Sequence, residues 1–308
     1  MTKVPTTRPT ETDNFRISVT EAEQLIAKNL PAAPTATVSL AEANQHILRE
    51  AISAERDQPP FHRATMDGIA IAASEAQTDE TRRFSVAGIQ AAGQAAATLP
   101  PDCCIEVMTG AVMPSGANTV IPIERIAVTN GIAEIEPGYA FKPGQFVHRR
   151  GSDHHQGDPL LSTGIRIGPP EMAVLAAAGK ASVQVSVTPK VAVISTGDEL
   201  VDVGLPISDS QIRSSNDRAI AAALQQAGAN DVSRYSYKDD PEQLRNGLRQ
   251  LLATNDILVL SGGVSMGKYD YLPQVLAELG IRVIFHKITQ RPGLPMWFAM
   301  SRDCLLYT

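Results

Sequence analysis

The feature that most constrains this chain is the regular alternation of strand-like and helix-like segments after Pro189. Val191–Ser195 is an apolar run of strand length, Ser215–Ala227 has helical spacing and is closed by Gly228, and Val232–Tyr237 again reads as a strand. Asp240-Pro-Glu-Gln243 is a capping signature with proline at the first helical position, and it opens a helix to Ala253. Ile257–Leu260, Tyr271–Leu279 and Ile281–Phe285 continue the series as strand, helix and strand. Strands separated by helices predict a parallel, doubly wound sheet, because the crossover helices cover its faces.

The chain before Pro189 has another texture. Met1–Thr12 is polar and proline-containing and reads as a disordered leader, and Thr20–Leu30 has helix signals. Ser39-Leu-Ala-Glu42 is a capping box, which predicts a helix to about Ser53 with Ile47, Leu48, Ala51 and Ile52 on its apolar side. From Pro59 to Pro143 short apolar runs alternate with Gly, Pro and polar turns: Ile69–Ala72, Phe84–Ala87, Cys104–Met108, Thr119–Ile123 and Ile132–Ile135. This predicts a β-rich module. Pro169-Pro170 opens a helix that stops at Gly179. The fold class is therefore multidomain, α+β and α/β: a β-rich module plus a doubly wound parallel-sheet α/β domain.

Charge and cysteine usage narrow the functional classes. A net charge of −6 argues against a general nucleic-acid binder, which needs basic patches for phosphate backbones. No apolar run approaches a membrane span. Cys103, Cys104 and Cys304 show neither zinc spacing nor a disulfide framework, so they read as reduced thiols of a cytoplasmic protein.

Two polar clusters directly follow strands, where open α/β sheets bind ligands. They are Ser195-Thr-Gly-Asp-Glu199 and Ser261-Gly-Gly-Val-Ser-Met-Gly267. Gly262, Gly263 and Gly267 let the backbone approach a ligand, and the loop delivers the chain to a helix near Asp270. The loop is either a phosphate cradle or a structural turn; no Gly-Lys-Ser/Thr makes it a Walker loop. Asp198, Glu199 and Asp270 are either an oxygen-only Mg²⁺ site completed by phosphate and water, or helix caps and solvated acids. In the β-rich module Asp67 and Thr109 each precede a glycine, as catalytic groups or as plain turns. The adjacent His154 and His155 point apart on an extended segment, against joint metal ligation. His62 and His286 read as packing or surface residues.

Taken together, these motifs resemble the molybdopterin molybdenumtransferase family, which includes the C-terminal part of gephyrin. The resemblance runs in order through Pro60–Ala70, Met108–Glu124, Arg149-Arg-Gly-Ser-Asp153, Gly157-Asp158, Val191–Leu200, Gln211–Asn216, Asp239-Asp240, Leu260–Tyr271 and Pro292-Gly293. It implies an enzyme that inserts molybdate into adenylylated molybdopterin with release of AMP, assisted by Mg²⁺. It also implies an elongated homodimer whose active site is shared between subunits, with a molybdopterin adenylyltransferase and molybdoenzyme apoproteins as further partners. The implied catalytic residues are Asp67, Thr109, Glu199 and Asp270, the last two also holding metal. The implied cofactor-binding residues are Asp153, Asp239 or Asp240, Ser261, Gly262, Gly263, Ser265, Gly267, Lys287, Arg291 and Pro292.

The same resemblance divides the chain into a leader (1–14), a linker and dimerisation domain (15–58 with 144–188), the β-rich domain (59–143) and the α/β domain (189–308). Leu294 stands where the family commonly has lysine, and His62 where it commonly has aspartate. The sequence reaches Thr308 without the family's Leu-Pro-Gly-Asn-Pro loop and C-terminal β-barrel domain. From this the strand Met296–Met300 is expected to leave Trp297 and Phe298 uncovered, and Ser301–Thr308 reads either as a short hairpin strand or as the artefact of an incomplete reading frame. The competing readings are a non-catalytic molybdopterin-binding or scaffolding protein, an inactive fragment of the enzyme, and the related adenylyltransferase.

Overall fold

The computed structural model describes residues 16–74, 82–262, 271–301 and 304–308. The expected leader and the candidates Gly263, Ser265, Gly267 and Asp270 lie outside the described residues. The chain divides into two compact units, one of residues 37–185 and one of residues 1–36 with 186–308. Among the described residues no helix is long and apolar enough to cross a membrane.

Helix α1, Val19–Asn29, belongs to the second of these units and starts at a complete capping box. Ser18 Oγ accepts from the Glu21 amide at 3.1 Å, and Glu21 Oε2 accepts from the Ser18 amide at 2.7 Å. The sequence reading groups this helix with the linker; its apolar face instead packs on the α/β sheet through Ala22, Leu25 and Ile26.

The unit of residues 37–185 contains a six-stranded sheet. Its strands are β1 (Gly68–Ile71), β2 (Arg83–Gln90), β3 (Cys103–Val107), β4 (Thr119–Pro122), β5 (Ile126–Thr129) and β6 (Ile132–Ile135). They lie in the order β4-β1-β3-β2-β6-β5, antiparallel except for β2 with β3. Ile69, Ile71, Cys104, Ile121, Ala133 and Ile135 form its core. A separate core, with Leu48, Ile52, Ile167, Leu175 and Val185, includes helix α2, Pro169–Ala177, as the Pro-Pro and Gly signals require.

The expected helix from Ser39 to Ser53 does not form. Only a single 3₁₀ turn, Leu40–Glu42, follows the capping box. The chain then runs extended: the Leu48 amide bonds the Ile165 carbonyl, the Arg49 amide bonds the Gln184 carbonyl, and Ile52–Ser53 pairs with Pro159–Leu161. Leu48, Ile52 and Ala54 are buried with even spacing, the period of a strand. Backbone partners more than a hundred residues away override the local helix signal.

In the other unit the strands are β7 (Lys190–Thr196), β8 (Asp231–Tyr237), β9 (Ile257–Ser261), β10 (Arg282–His286), β11 (Trp297–Met300) and β12 (Leu305–Tyr307). Helices α3 (Asn216–Gln226), α4 (Pro241–Thr254) and α5 (Leu272–Glu278) fall between them. The strand order is β8-β7-β9-β12-β11-β10. β8, β7, β9 and β12 are mutually parallel, as expected, but β11 is antiparallel to both its neighbours, so the sheet is mixed. Leu244, Leu248 and Leu251 of α4 and Leu272, Val275 and Leu276 of α5 cover one face against Ala192, Ile194, Leu258 and Leu260.

The expectation of an uncovered Met296–Met300 is also corrected. Phe298 is fully buried and Trp297 nearly so. The segment does turn back as a hairpin, and β12 inserts between β9 and β11, so that β11 is paired on both sides. α1 covers the opposite face, placing Ala22 with Phe285, Phe298 and Leu305.

Candidate functional site

Strand direction gathers most of the candidate residues. β7, β8, β9 and β10 run the same way, so their carboxyl ends share one edge of the sheet. Glu199 follows β7, Asp239 and Asp240 follow β8, Ser261 ends β9 with Gly262 after it, and Lys287, Arg291 and Pro292 follow β10.

The two central turns depend on glycine. Gly262 has φ +96°, and a Cβ there would lie 2.8 Å from the Thr196 carbonyl oxygen and 3.3 Å from Thr196 Oγ1. Gly197 has φ +149°, and a Cβ would lie 2.6 Å from Glu199 Oε2. At Gly262 the clash is with backbone and excludes a side chain, whereas at Gly197 the mobile Glu199 carboxylate could give way and it is the positive φ that favours glycine. Thr196 is buried and its hydroxyl has no hydrogen-bond partner among the described residues. It belongs to the polar cluster Ser195-Thr-Gly-Asp-Glu199 picked out from sequence, but it was not named there as a site residue in its own right.

Beside these turns lies a cavity of about 150 Å³ lined by Ser195, Leu200, Ile212, Arg213, Ser214, Ser215, Asn216 and Ser261. Asn216 Nδ2 donates to Ser261 Oγ at 3.2 Å. Four serine hydroxyls, an amide and a guanidinium suit a polar or anionic group. Of these residues Ser261 was named from sequence as a site residue; Ser195 stood in the first polar cluster and Asn216 in the motif Gln211–Asn216, neither with a role of its own.

The acids are crowded. Burial raises the Asp239 carboxyl above its ordinary range, and the charges of Asp198 and Glu199 raise it further. Asp240 instead caps α4, accepting from the Gln243 amide at 2.7 Å, while Gln243 Oε1 takes the Lys238 amide at 2.9 Å. Lys238 Nζ donates to the Asp198 carbonyl at 3.1 Å. Among the described residues no three acids, histidines or cysteines converge as a complete metal site. Carboxylates that repel each other at a polar sheet edge nevertheless fit Mg²⁺, which takes one or two protein oxygens and fills its shell with water and phosphate. Lys287 is half-buried in a left-handed conformation, φ +75°, with its amide bonded to the Met296 carbonyl; Arg291 and Pro292 are exposed.

In the other unit Asp67 and Thr109 are brought together. Asp67 Oδ1 accepts from the Thr109 amide at 2.6 Å and from its hydroxyl at 2.8 Å. These bonds hold the Asp67 carboxyl below its usual range, so it stands as an exposed, ionised acceptor. Gly68 fixes this geometry: a Cβ there would lie 1.9 Å from the Ile121 carbonyl oxygen. Asp153 lies on a different loop of the same unit, 2.9 Å from His148 Nε2.

Comparison with known proteins decides the family. Residues 17–179 match the MoeA N-terminal region (domain I and II), and residues 192–305 match a probable molybdopterin binding domain. A molybdopterin molybdenumtransferase of Synechocystis sp. is 35% identical over 92% of this chain and 73% of its own length.

The chain belongs to the molybdopterin molybdenumtransferase family. Molybdopterin molybdenumtransferases of Nostoc sp. and Bacillus subtilis are 36% and 33% identical, over 86% and 94% of this chain and 61% and 69% of their own lengths. The crystal structure of the molybdopterin biosynthesis moeA protein from Pyrococcus horikoshii OT3 shares the fold, with a TM-score of 0.76 at 28% identity, over 95% of this chain and 73% of that one. The chain thus spans 61–73% of the length of these four relatives.

Proposed function

We propose that this molybdenumtransferase-family chain acts in molybdenum-cofactor biosynthesis, inserting molybdate into adenylylated molybdopterin with release of AMP. The observation that carries this reading is the carboxyl edge of the α/β sheet. There a hydroxyl-lined cavity, two glycine turns of positive φ, of which the one at Gly262 excludes any Cβ, and the acids Glu199 and Asp239 adjoin one another. A polar cavity and close backbone suit a phosphorylated ligand, and the acids suit the cation that such a ligand brings.

In this reading Ser261 and Asn216 bind and orient the pterin-bearing phosphate, and Lys287 and Arg291 offset the negative charge of phosphate and molybdate. Glu199, with Asp239 beside it, would hold Mg²⁺, which when bound neutralises charge developing on the phosphoanhydride. Asp67, kept ionised by Thr109, accepts a hydrogen bond from substrate or water. We further propose a cytoplasmic homodimer in which Asp67 and Glu199 serve one reaction. Cytoplasmic placement is supported by the three free thiols, Cys103, Cys104 and Cys304, as a reducing compartment keeps them.

AMP release from adenylylated molybdopterin, measured with and without molybdate and Mg²⁺, tests the reading. Glu199→Gln is expected to slow release by roughly 10²–10³-fold, the usual effect of removing a charge-stabilising group. Pterin binding without AMP release would convert the proposal to a binding or scaffolding role. Mixing Asp67→Ala with Glu199→Gln, once subunit exchange is verified, should restore part of the activity; none returning would reject the shared dimeric site.

A further inference from the structure

His148 lies between a cation and a candidate acid, and the arrangement has only one chemically consistent form. Arg63 Nη2 and Nε stand 3.1 and 3.4 Å from His148 Nδ1, and His148 Nε2 stands 2.9 Å from Asp153 Oδ1. Guanidinium can only donate, so Nδ1 must accept and carries no proton. The ring proton is therefore on Nε2 and is donated to the carboxylate, as in positioning relays where the second partner of a histidine fixes its tautomer.

The backbone holds the same pieces. Arg63–Ala64 pairs antiparallel with Val147–His148, and the Asp153 amide bonds the Gln58 carbonyl at 2.9 Å. Ser152 Oγ also approaches Asp153 Oδ1, at 3.4 Å. Oδ1 is thus committed, while Oδ2 takes no hydrogen bond among the described residues and the side chain is about half exposed.

We propose that Arg63 and His148 are positioning residues that lock the Asp153 carboxylate so that Oδ2 faces the ligand as a lone acceptor. A carboxylate so presented repels phosphate and molybdate and selects an N–H or O–H donor. Asp153 therefore recognises the hydrogen-bond-donating part of the substrate, its heterocyclic N–H groups or ribose hydroxyls, not its anionic part. This inference rests on the molybdenumtransferase reading for the identity of the substrate, but the relay itself is tested without it.

Long-range ¹H–¹⁵N spectra of the full chain should show His148 as the Nε2–H tautomer, and Arg63→Leu combined with Asp153→Ala, which removes both partners, should convert it to a mixture. A tautomer mixture in the unaltered protein, or no change in that double variant, overturns the relay. His148→Phe removes both bonds and should raise KM for adenylylated molybdopterin about tenfold with kcat little changed, the loss of one charge-assisted hydrogen bond. His148→Gln, whose amide can accept from Arg63 and donate to Asp153, should restore most of that KM. Thermal melting of each variant separates this from unfolding, because these partly exposed side chains should leave Tm nearly unaltered. An unaltered protein that releases no AMP sinks the functional reading and leaves the tautomer result standing. An active protein in which His148→Phe behaves as the parent, or in which His148→Gln fails to rescue, sinks the positioning role.

Discussion

At the scale of single residues the structure assigns opposite electrostatic characters to two acids that look alike in sequence. Asp67 is held down by two hydrogen bonds from Thr109, its amide's being the larger effect. Thr109→Val removes the hydroxyl and keeps the amide, so the Asp67 carboxyl should rise part of the way toward its ordinary range. The sign follows from linkage: a carboxyl with a lowered folded pKa contributes stability above its unfolded value and loses it as pH falls through the folded one. Thr109→Val should therefore cost stability at neutral pH, where the contribution is fully present, and the difference from the parent should vanish as pH falls through the folded value. Carbon-13 titration of the aspartate carboxyls reads the shift directly, and an unmoved Asp67 would refute the assignment.

Asp239 is the converse case. Burial and the charges of Asp198 and Glu199 raise its carboxyl, so the folded chain binds that proton more tightly than the unfolded chain and loses stability as pH rises through this range. Glu199→Gln should lower the Asp239 titration and flatten that loss. Titration of Asp239 in the two proteins checks it, and an unchanged midpoint would show that burial and Asp198 suffice without Glu199. Neither difference is legible in sequence, because both acids stand beside turn-forming residues and only their tertiary neighbours distinguish them. Asp67, Glu199 and Ser261 were found because each flanks a glycine or a strand end. Thr196 and Asn216 stood inside motifs without being given a role, and His148 was not found, because its significance comes from a residue 85 positions away.

At the scale of elements, the α/β strands and helices were readable almost throughout because period, caps and breakers agree there. Asp240 with Pro241 and the Pro169-Pro170 start are clear instances. The segment after Ser39 shows the limit. The returning half of its capping box forms, with the Ser39 amide donating to Glu42 Oε2 at 3.3 Å, yet it closes only one turn. Ile47, Leu48, Ala51 and Ile52 fit either period, and the choice is made by strands near residues 160 and 185. A prediction on β1 concerns the same kind of distant constraint. Gly68 faces the Ile121 carbonyl, so Gly68→Ala must push β1 from β4 and move Asp67 with it. It should cost about 3 kcal/mol or more, at the upper end for overpacking a buried site. Urea denaturation measures this, and a midpoint within error of the parent would disprove the steric argument.

At the scale of the whole molecule, sequence alone made Met296–Met300 an exposed boundary, and the sheet makes it interior. Pattern could identify β11 as a strand but not its neighbours, since nothing local to Leu305–Tyr307 announces insertion between β9 and β11. That insertion joins the parallel and antiparallel halves of the sheet. The Leu305 amide bonds the Asp256 carbonyl at 2.9 Å, and Thr308 closes the other end, its hydroxyl accepting from the Trp297 amide at 2.7 Å. Leu306 is fully buried and Leu305 nearly so. Removing residues 304–308 should therefore strip both neighbours of their backbone partners and open the core around Phe298. Leu306→Ala, which keeps the backbone, should cost about 2–5 kcal/mol; the deletion should be worse and yield aggregating protein, because two strand edges become free at once. Trp297 is the chain's single tryptophan and lies beside the affected strand, so its fluorescence reports the change without labelling. The expected outcome is a red-shifted emission for the deletion and early elution on size exclusion, with Leu306→Ala folded but melting at lower temperature. If the deleted protein instead elutes as the parent does and keeps the parent's emission, β12 is dispensable and the sheet must be held together by α1, α4 and α5 alone.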